Sequence, residues 1–170
     1  LPRISQGYES IESFVRHAQS VLNRRKARAG KSLERHVARL LEEEGMVLNR
    51  DFSVQAVTEG KKTPDFLFPN AEAYRDPSFP SDRLVMLAAK TSLKDRWRQI
   101  LNKANRIPTK HLITLQEGVT LPQFEEMQAE HVTLVVPASL HQKYPTGVRE
   151  YLWTLERFFQ LVGPTKPLNA

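Results

Sequence analysis

The sequence predicts an α/β fold, a mixed β-sheet with helices packed on both of its faces. Three observations point to it. Apolar residues recur at the helical period near both ends of the chain. The middle of the chain changes to short apolar runs bounded by Pro, Gly and Asn. Helical and strand-like segments then alternate to the C-terminus, the pattern of strands joined by crossover helices. At 170 residues the length predicts one domain, residues 1–170.

The elements follow in order. Ile11, Phe14, Val15, Ala18, Val21 and Leu22 share one helical face, and this helix runs through the basic block Arg24-Arg25-Lys26-Ala27-Arg28 to an expected end near Gly30. A second helix turns Leu33, Val37, Leu40 and Leu41 inward and stops at Gly45. Phe52 to Val57 alternates as a strand. Asp65 to Phe68 is a short strand after Pro64, and Leu84 to Ala89 is a strand buried on both faces. Between these two, Pro69 to Ser81 carries Pro69, Pro77 and Pro80 and reads as a loop. Leu93, Trp97, Ile100, Leu101 and Ala104 return to helical spacing. His111 to Leu115 is a strand, Pro122 marks the start of a helix, Val132 to Val136 is a strand, and Val148 to Val162 is a closing helix. A β-meander followed by alternating helix and strand gives a mixed sheet.

Composition narrows the function. Lys plus Arg number 25 against 19 Asp plus Glu, and the net charge of +6 favours polyanionic partners. The absence of Cys excludes disulfide frameworks, thiol nucleophiles and thiolate zinc sites. The longest apolar run, Leu84 to Ala89, falls far short of the roughly 20 residues a membrane-spanning helix needs, so no membrane partner is expected. The chain opens at Leu1-Pro2 without a basic stretch leading into an apolar one, so no signal peptide is expected; it reads as part of a longer protein.

Two weaker signals fail on context. Gly30-Lys31-Ser32 resembles the end of a phosphate-binding loop, but Arg25 stands where that motif needs its first Gly, and a helix rather than a strand precedes it. Of His17, His36, His111, His131 and His141, no two have the i, i+4 spacing of a helical metal site, and each reads as a surface or packing residue. There is no Gly-x-Ser-x-Gly elbow for a serine nucleophile.

The informative stretch is Pro64-Asp65-Phe66-Leu67-Phe68 followed by Leu84-Val85-Met86-Leu87-Ala88-Ala89-Lys90. A lysine ending a buried run is costly unless it has a charge partner or a task. If the two strands are neighbours, Asp65 and Lys90 lie side by side at the sheet's edge. A carboxylate there can hold a divalent metal, while the ammonium orients an attacking water and offsets charge developing on a phosphorane. A structural ion pair closing the sheet is the other reading, and those two residues alone favour it. The segment that follows shifts the balance. Lys90, Lys94, Arg96 and Arg98 crowd the strand exit and the next helix start, where cations oppose the helix dipole and an anion would relieve them. Arg96 and Arg98, about 200° apart on a helix, cannot share a face, so one can reach a guanine edge while the other meets backbone. The alternative here is a solvated basic helix start with Trp97 in the core.

Pro64-Asp65 with Lys90 at the end of the following strand resembles the PD-(D/E)xK nuclease superfamily. The stretch Pro64 to Gly118, with Ala88-Ala89-Lys90-Thr91-Ser92-Leu93-Lys94-Asp95-Arg96-Trp97-Arg98-Gln99 and Leu115-Gln116-Glu117-Gly118, is similar to the catalytic domain of a type II restriction endonuclease. The likeness extends from the first helix, including Asn23-Arg24-Arg25-Lys26, to the end of the chain.

This resemblance implies a restriction-endonuclease-like fold and a bacterial, cytoplasmic, Mg²⁺-dependent enzyme that cuts double-stranded DNA at a CC(A/T)GG site and leaves 5′ overhangs. It implies Asp65 as metal ligand, Lys90 as the active-site lysine, Glu34 as an auxiliary acid and metal ligand, and Tyr74 near the cleft. Lys94, Asp95, Arg96 and Arg98 match the segment that reads the C:G pairs, with Arg24 and Arg25 as further DNA contacts. A homodimer and an upstream autoinhibitory domain are implied as well.

Two departures stand out. Ala88 occupies the place of an acid two residues before the lysine, and Lys103 occupies the alternative acid position thirteen residues after it. An ammonium cannot ligate Mg²⁺ and repels it at short range. Either Glu34 completes the metal's shell or the chain binds DNA and cuts poorly, and Lys103→Glu is expected to raise the cleavage rate. The rival readings are a non-cleaving sequence-specific DNA-binding module and, more remotely, an RNA-binding relative of the nucleases, against which the lack of an aromatic ladder counts.

Overall fold

The apolar run that ends at Lys90 becomes the middle strand of a five-stranded sheet. A computed structural model of the chain describes residues 11–163, with side chains from 16 onward except at 17, 18, 22, 26 and 95. The strands are β1 (Ser53–Val54), β2 (Phe66–Phe68), β3 (Val85–Lys90), β4 (Lys110–Thr114) and β5 (Val132–Val135), and they stand in that order across the sheet. β1 to β3 pair antiparallel, whereas β3–β4 and β4–β5 are parallel. The meander therefore passes into crossover units and the sheet is mixed, as the order of elements predicts.

The two-residue period of a strand sends Met86 and Ala88 to one face and Leu87 and Ala89 to the other. The first face packs against Trp97, Ile100, Met127 and Phe124, the last two from helix α3 (Leu121–Ala129). The second packs against Leu33, Val37 and Leu41 of helix α1 (Ile11–Glu43), and against Phe158 of helix α5 (Leu155–Val162). Two short helices, α2 (Ala71–Arg75) and α4 (Thr146–Arg149), complete the set of α-helices among the described residues.

Several expectations hold with sharp local chemistry. Gly45 ends α1 at φ +86°, with Met46 N donating to Leu41 O and Gly45 N to Glu42 O, both at 3.0 Å. Glycine adopts that left-handed turn at no steric cost, and the buried Leu41 and Met46 supply its apolar contact. Thr120 caps α3 just ahead of Pro122.

Other expectations are corrected. The two N-terminal helices are a single helix of 33 residues that passes through Gly30. Glycine inside a helix costs about 1 kcal/mol relative to alanine but raises no steric barrier. The side chains of Ile11, Phe14, Val15, Ala18 and Leu22, read as that helix's apolar face, lie outside those described. The strand expected over 52–57 stops at Val54 because Gln55 turns to φ 50°, outside the β region. The loop at 69–81 holds α2, whose first turn is capped by Asn70 accepting from Ala73 N at 2.8 Å. The Trp97 segment is a 3₁₀ helix, Lys94–Ile100, anchored where Leu93 N donates to Gln116 Oε1 at 2.7 Å. The closing helix is divided into α4 and α5 because Trp153 pairs with β5. Trp153 N donates to Leu134 O at 2.9 Å and Val136 N to Trp153 O at 2.8 Å, which takes the backbone out of helix. Among the described residues no helix is long and apolar enough to cross a membrane.

Candidate active site

Asp65 directly precedes β2, and Lys90 is the last residue of β3. The antiparallel register, with Phe66 opposite Leu87, sets the start of one strand beside the end of the other. Lys90 Nζ donates to Asp65 Oδ2 at 3.3 Å, and Ala89 N donates to the same oxygen at 2.8 Å. Asp65 is 3% exposed, so this carboxylate is held in place by a backbone amide and an ammonium within the protein.

Two further acids and bases of the chain meet it there. Gln55 Nε2 donates to Asp65 Oδ1 and to Glu34 Oε2, each at 3.1 Å, so carboxylates from β2 and α1 converge on one amide nitrogen. Lys103 Nζ lies 3.9 Å from Asp65 Oδ1 and donates to Thr63 O at 2.8 Å. Burial pushes the Lys103 ammonium below its ordinary pKa, against the opposing pull of Asp65.

The segment carrying Lys103 is fastened from three directions. Lys110 Nζ donates to the carbonyls of Lys103 (2.7 Å), Ala104 (2.8 Å) and Ile107 (2.5 Å). Glu59 Oε2 accepts from Asn105 N at 3.4 Å. The Arg106 guanidinium donates to the carbonyls of Tyr74, Asp76 and Phe79. Burial lowers Lys110 to about 8, which leaves it charged at neutral pH.

Of the residues singled out in the sequence, the structure gathers Asp65, Lys90, Glu34 and Lys103. Tyr74 is buried, and its hydroxyl donates to Glu59 Oε1 at 2.5 Å and accepts from Arg106 N at 3.4 Å, with no hydrogen bond to Asp65 or Lys90. Burial, with Glu59 beside it, pushes Tyr74 up to about 12. Tyr74 thus acts on the fastening of the Lys103 segment. Lys94 and Arg96 are exposed. Arg98 is engaged, pairing with Glu126 Oε2 at 2.5 Å and lying 4.7 Å over the buried Trp97 ring. The side chain of Asp95 lies outside those described. Arg24 and Arg25 are exposed on α1, about 15 Å along its axis from Glu34. His36 is exposed, and His111 is buried against Trp153 and Phe158.

Sequence reading missed Gln55, Glu59, Arg106 and Lys110. Lys110 carried a signal, a cation opening an apolar strand, which is the same anomaly that drew notice to Lys90. Gln55 carried none, because its reach depends on a left-handed backbone turn.

The donors suit a hard divalent cation. Mg²⁺ commonly takes one or two carboxylates from a protein and fills its octahedron with water. Asp65 and Glu34 supply two that face a common point, and no group of three or more His, Cys, Asp and Glu gathers among the described residues.

A mixed sheet with an acid and a lysine at adjoining strand ends belongs to a known class, the restriction-endonuclease-like fold. The chain aligns with metal-depleted Ecl18kI in complex with uncleaved DNA at TM-score 0.68 and 20% identity, over 99% of this chain and 61% of that one. It aligns with the restriction endonuclease PspGI in its substrate DNA complex at TM-score 0.66 and 18% identity, over 95% and 69%. The chain belongs to the EcoRII C-terminal family, whose model matches residues 1–159. It is 57% identical over 161 residues to the type II restriction enzyme EcoRII of Escherichia coli, spanning 94% of this chain and 39% of that protein.

Proposed function

We propose that the chain is the nuclease domain of a type II restriction endonuclease of the PD-(D/E)xK kind, one domain over residues 1–170. It recognises double-stranded DNA at a CC(A/T)GG site and, with Mg²⁺, hydrolyses a phosphodiester in each strand to leave 5′ overhangs. The observation that carries this reading is the 3.3 Å approach of Lys90 Nζ to Asp65 Oδ2 in a member of the EcoRII C-terminal family.

Asp65 and Glu34 would hold the metal, which when bound supplies Lewis acidity and makes a coordinated water nucleophilic. Ala89 N fixes the orientation of the Asp65 carboxylate. Lys90 Nζ directs the water at the scissile phosphorus and faces the negative charge that develops on the phosphoryl oxygens, in a setting where burial strengthens it. Lys94, Arg96, Arg24 and Arg25 stand exposed for phosphates and guanine edges, with Asp95 in the same recognition segment. Arg98 belongs to the same segment, where its guanidinium pairs with Glu126 and lies over the Trp97 ring. A site with two-fold symmetry calls for two copies of the domain, one per half-site. The domain works beneath an upstream part that restrains it.

The test is incubation of a plasmid carrying CC(A/T)GG sites with the chain and Mg²⁺, beside Asp65→Asn. Discrete fragments that vanish in the variant uphold the reading. Site-specific binding with no cleavage at any Mg²⁺ concentration would replace it with a non-cleaving DNA-binding module, a reading that Lys103 at 3.9 Å from Asp65 favours. Absence of site preference would overturn both.

A further inference from the structure

We infer that Lys103 is a tethered cation of the candidate metal site, one that makes the domain take up divalent metal weakly. The inference rests on the reading of Asp65 and Glu34 as metal-binding carboxylates.

Charge is the first ground. Asp65 and Glu34 are met by two ammoniums, Lys90 at 3.3 Å and Lys103 at 3.9 Å from Asp65 oxygens, so the cluster is formally neutral. The compensation of the two carboxylates is covalently attached. A divalent ion, in turn, must bind an aspartate already bracketed by positive charge, and it raises the cluster to a double positive charge.

Placement is the second ground. Lys103 Nζ is held by the Thr63 carbonyl at 2.8 Å, its side chain is 18% exposed, and its own carbonyl is gripped by Lys110. The ammonium therefore sits beside Asp65 on a fastened segment and does not swing freely in solvent.

One measurement on the free chain decides the matter. Mn²⁺ affinity is read by isothermal titration without DNA for the wild type, Lys103→Glu and Lys103→Met, with circular dichroism confirming that each variant is folded. Lys103→Glu is expected to bind Mn²⁺ at least tenfold more tightly than the wild type, with Lys103→Met between the two. Equal Mn²⁺ affinity in all three proteins overturns the inference. A lack of site preference would defeat the proposed function alone, since the Mn²⁺ titration involves no DNA.

Discussion

Lys110 Nζ donates to the backbone carbonyl of Lys103 at 2.7 Å, so a buried lysine sets the position of a partly exposed one. The same ammonium also satisfies the carbonyls of Ala104 and Ile107. Ala104 holds φ 50°, an unfavourable backbone for a residue with a side chain, and these bonds keep it there. Replacing Lys110 with Met takes its ammonium from three carbonyls, of which, among the described residues, only that of Ala104 keeps another donor, Ile107 N at 3.0 Å, and a hydrogen bond to a charged group is worth about 1.5–3 kcal/mol. Lys110→Met should lower stability by about 2–4 kcal/mol in urea unfolding, on that same scale.

His111 predicts an acid-sensitive fold. It is 5% exposed between the Trp153 and Phe158 rings, and burial lowers its pKa to about 4 against the opposing effect of the Met86 backbone. The unfolded chain, with a histidine pKa near 6.5, binds the proton first as pH falls. Stability contributed by the neutral ring is therefore full above pH 6.5 and is lost on descending toward pH 4, by about 3 kcal/mol in all. Urea midpoints at pH 7 and pH 4.5 should show the fall, and His111→Leu should flatten it.

Gln55 joins Glu34 to Asp65 through one amide nitrogen. Truncating it releases the Glu34 carboxylate from Asp65, which Ala89 N and Lys90 still hold, without touching the exposed cations. Residues that orient metal ligands commonly contribute 10- to 100-fold in metal affinity or activity. Gln55→Ala is expected to slow cleavage by about that factor, with DNA affinity in EDTA unchanged.

Arg96 and Lys94 should separate by the kind of loss they cause. Arg96→Ala, if Arg96 reads guanine, costs roughly 1–3 kcal/mol at the cognate site and relaxes discrimination there. Lys94→Ala should weaken all sequences alike and lower the slope of affinity against salt by about one unit. Glu126→Ala, which removes one negative charge from the surface beside Arg98, should tighten binding a few-fold at low salt and less at high salt, where an exposed charge is screened. Anisotropy titrations over a salt series with matched and mismatched duplexes check all three.

The sequence by itself determined the alternation of apolar runs and helical faces, and hence the mixed sheet and its two covered sides. It also marked Asp65 and Lys90, because a charged residue next to a buried apolar strand stands out in one dimension. Strand period and burial are local properties of side chains, so the order of residues suffices to express them. Only the tertiary structure decided that Gln55 bridges two acids, that Tyr74 turns to Glu59, that Trp153 interrupts the last helix, and that Lys110 stands behind Lys103. Each of those depends on a left-handed turn, a sheet edge or a contact between residues far apart in the chain. Such contacts arise from three-dimensional packing, and no spacing in the sequence encodes them.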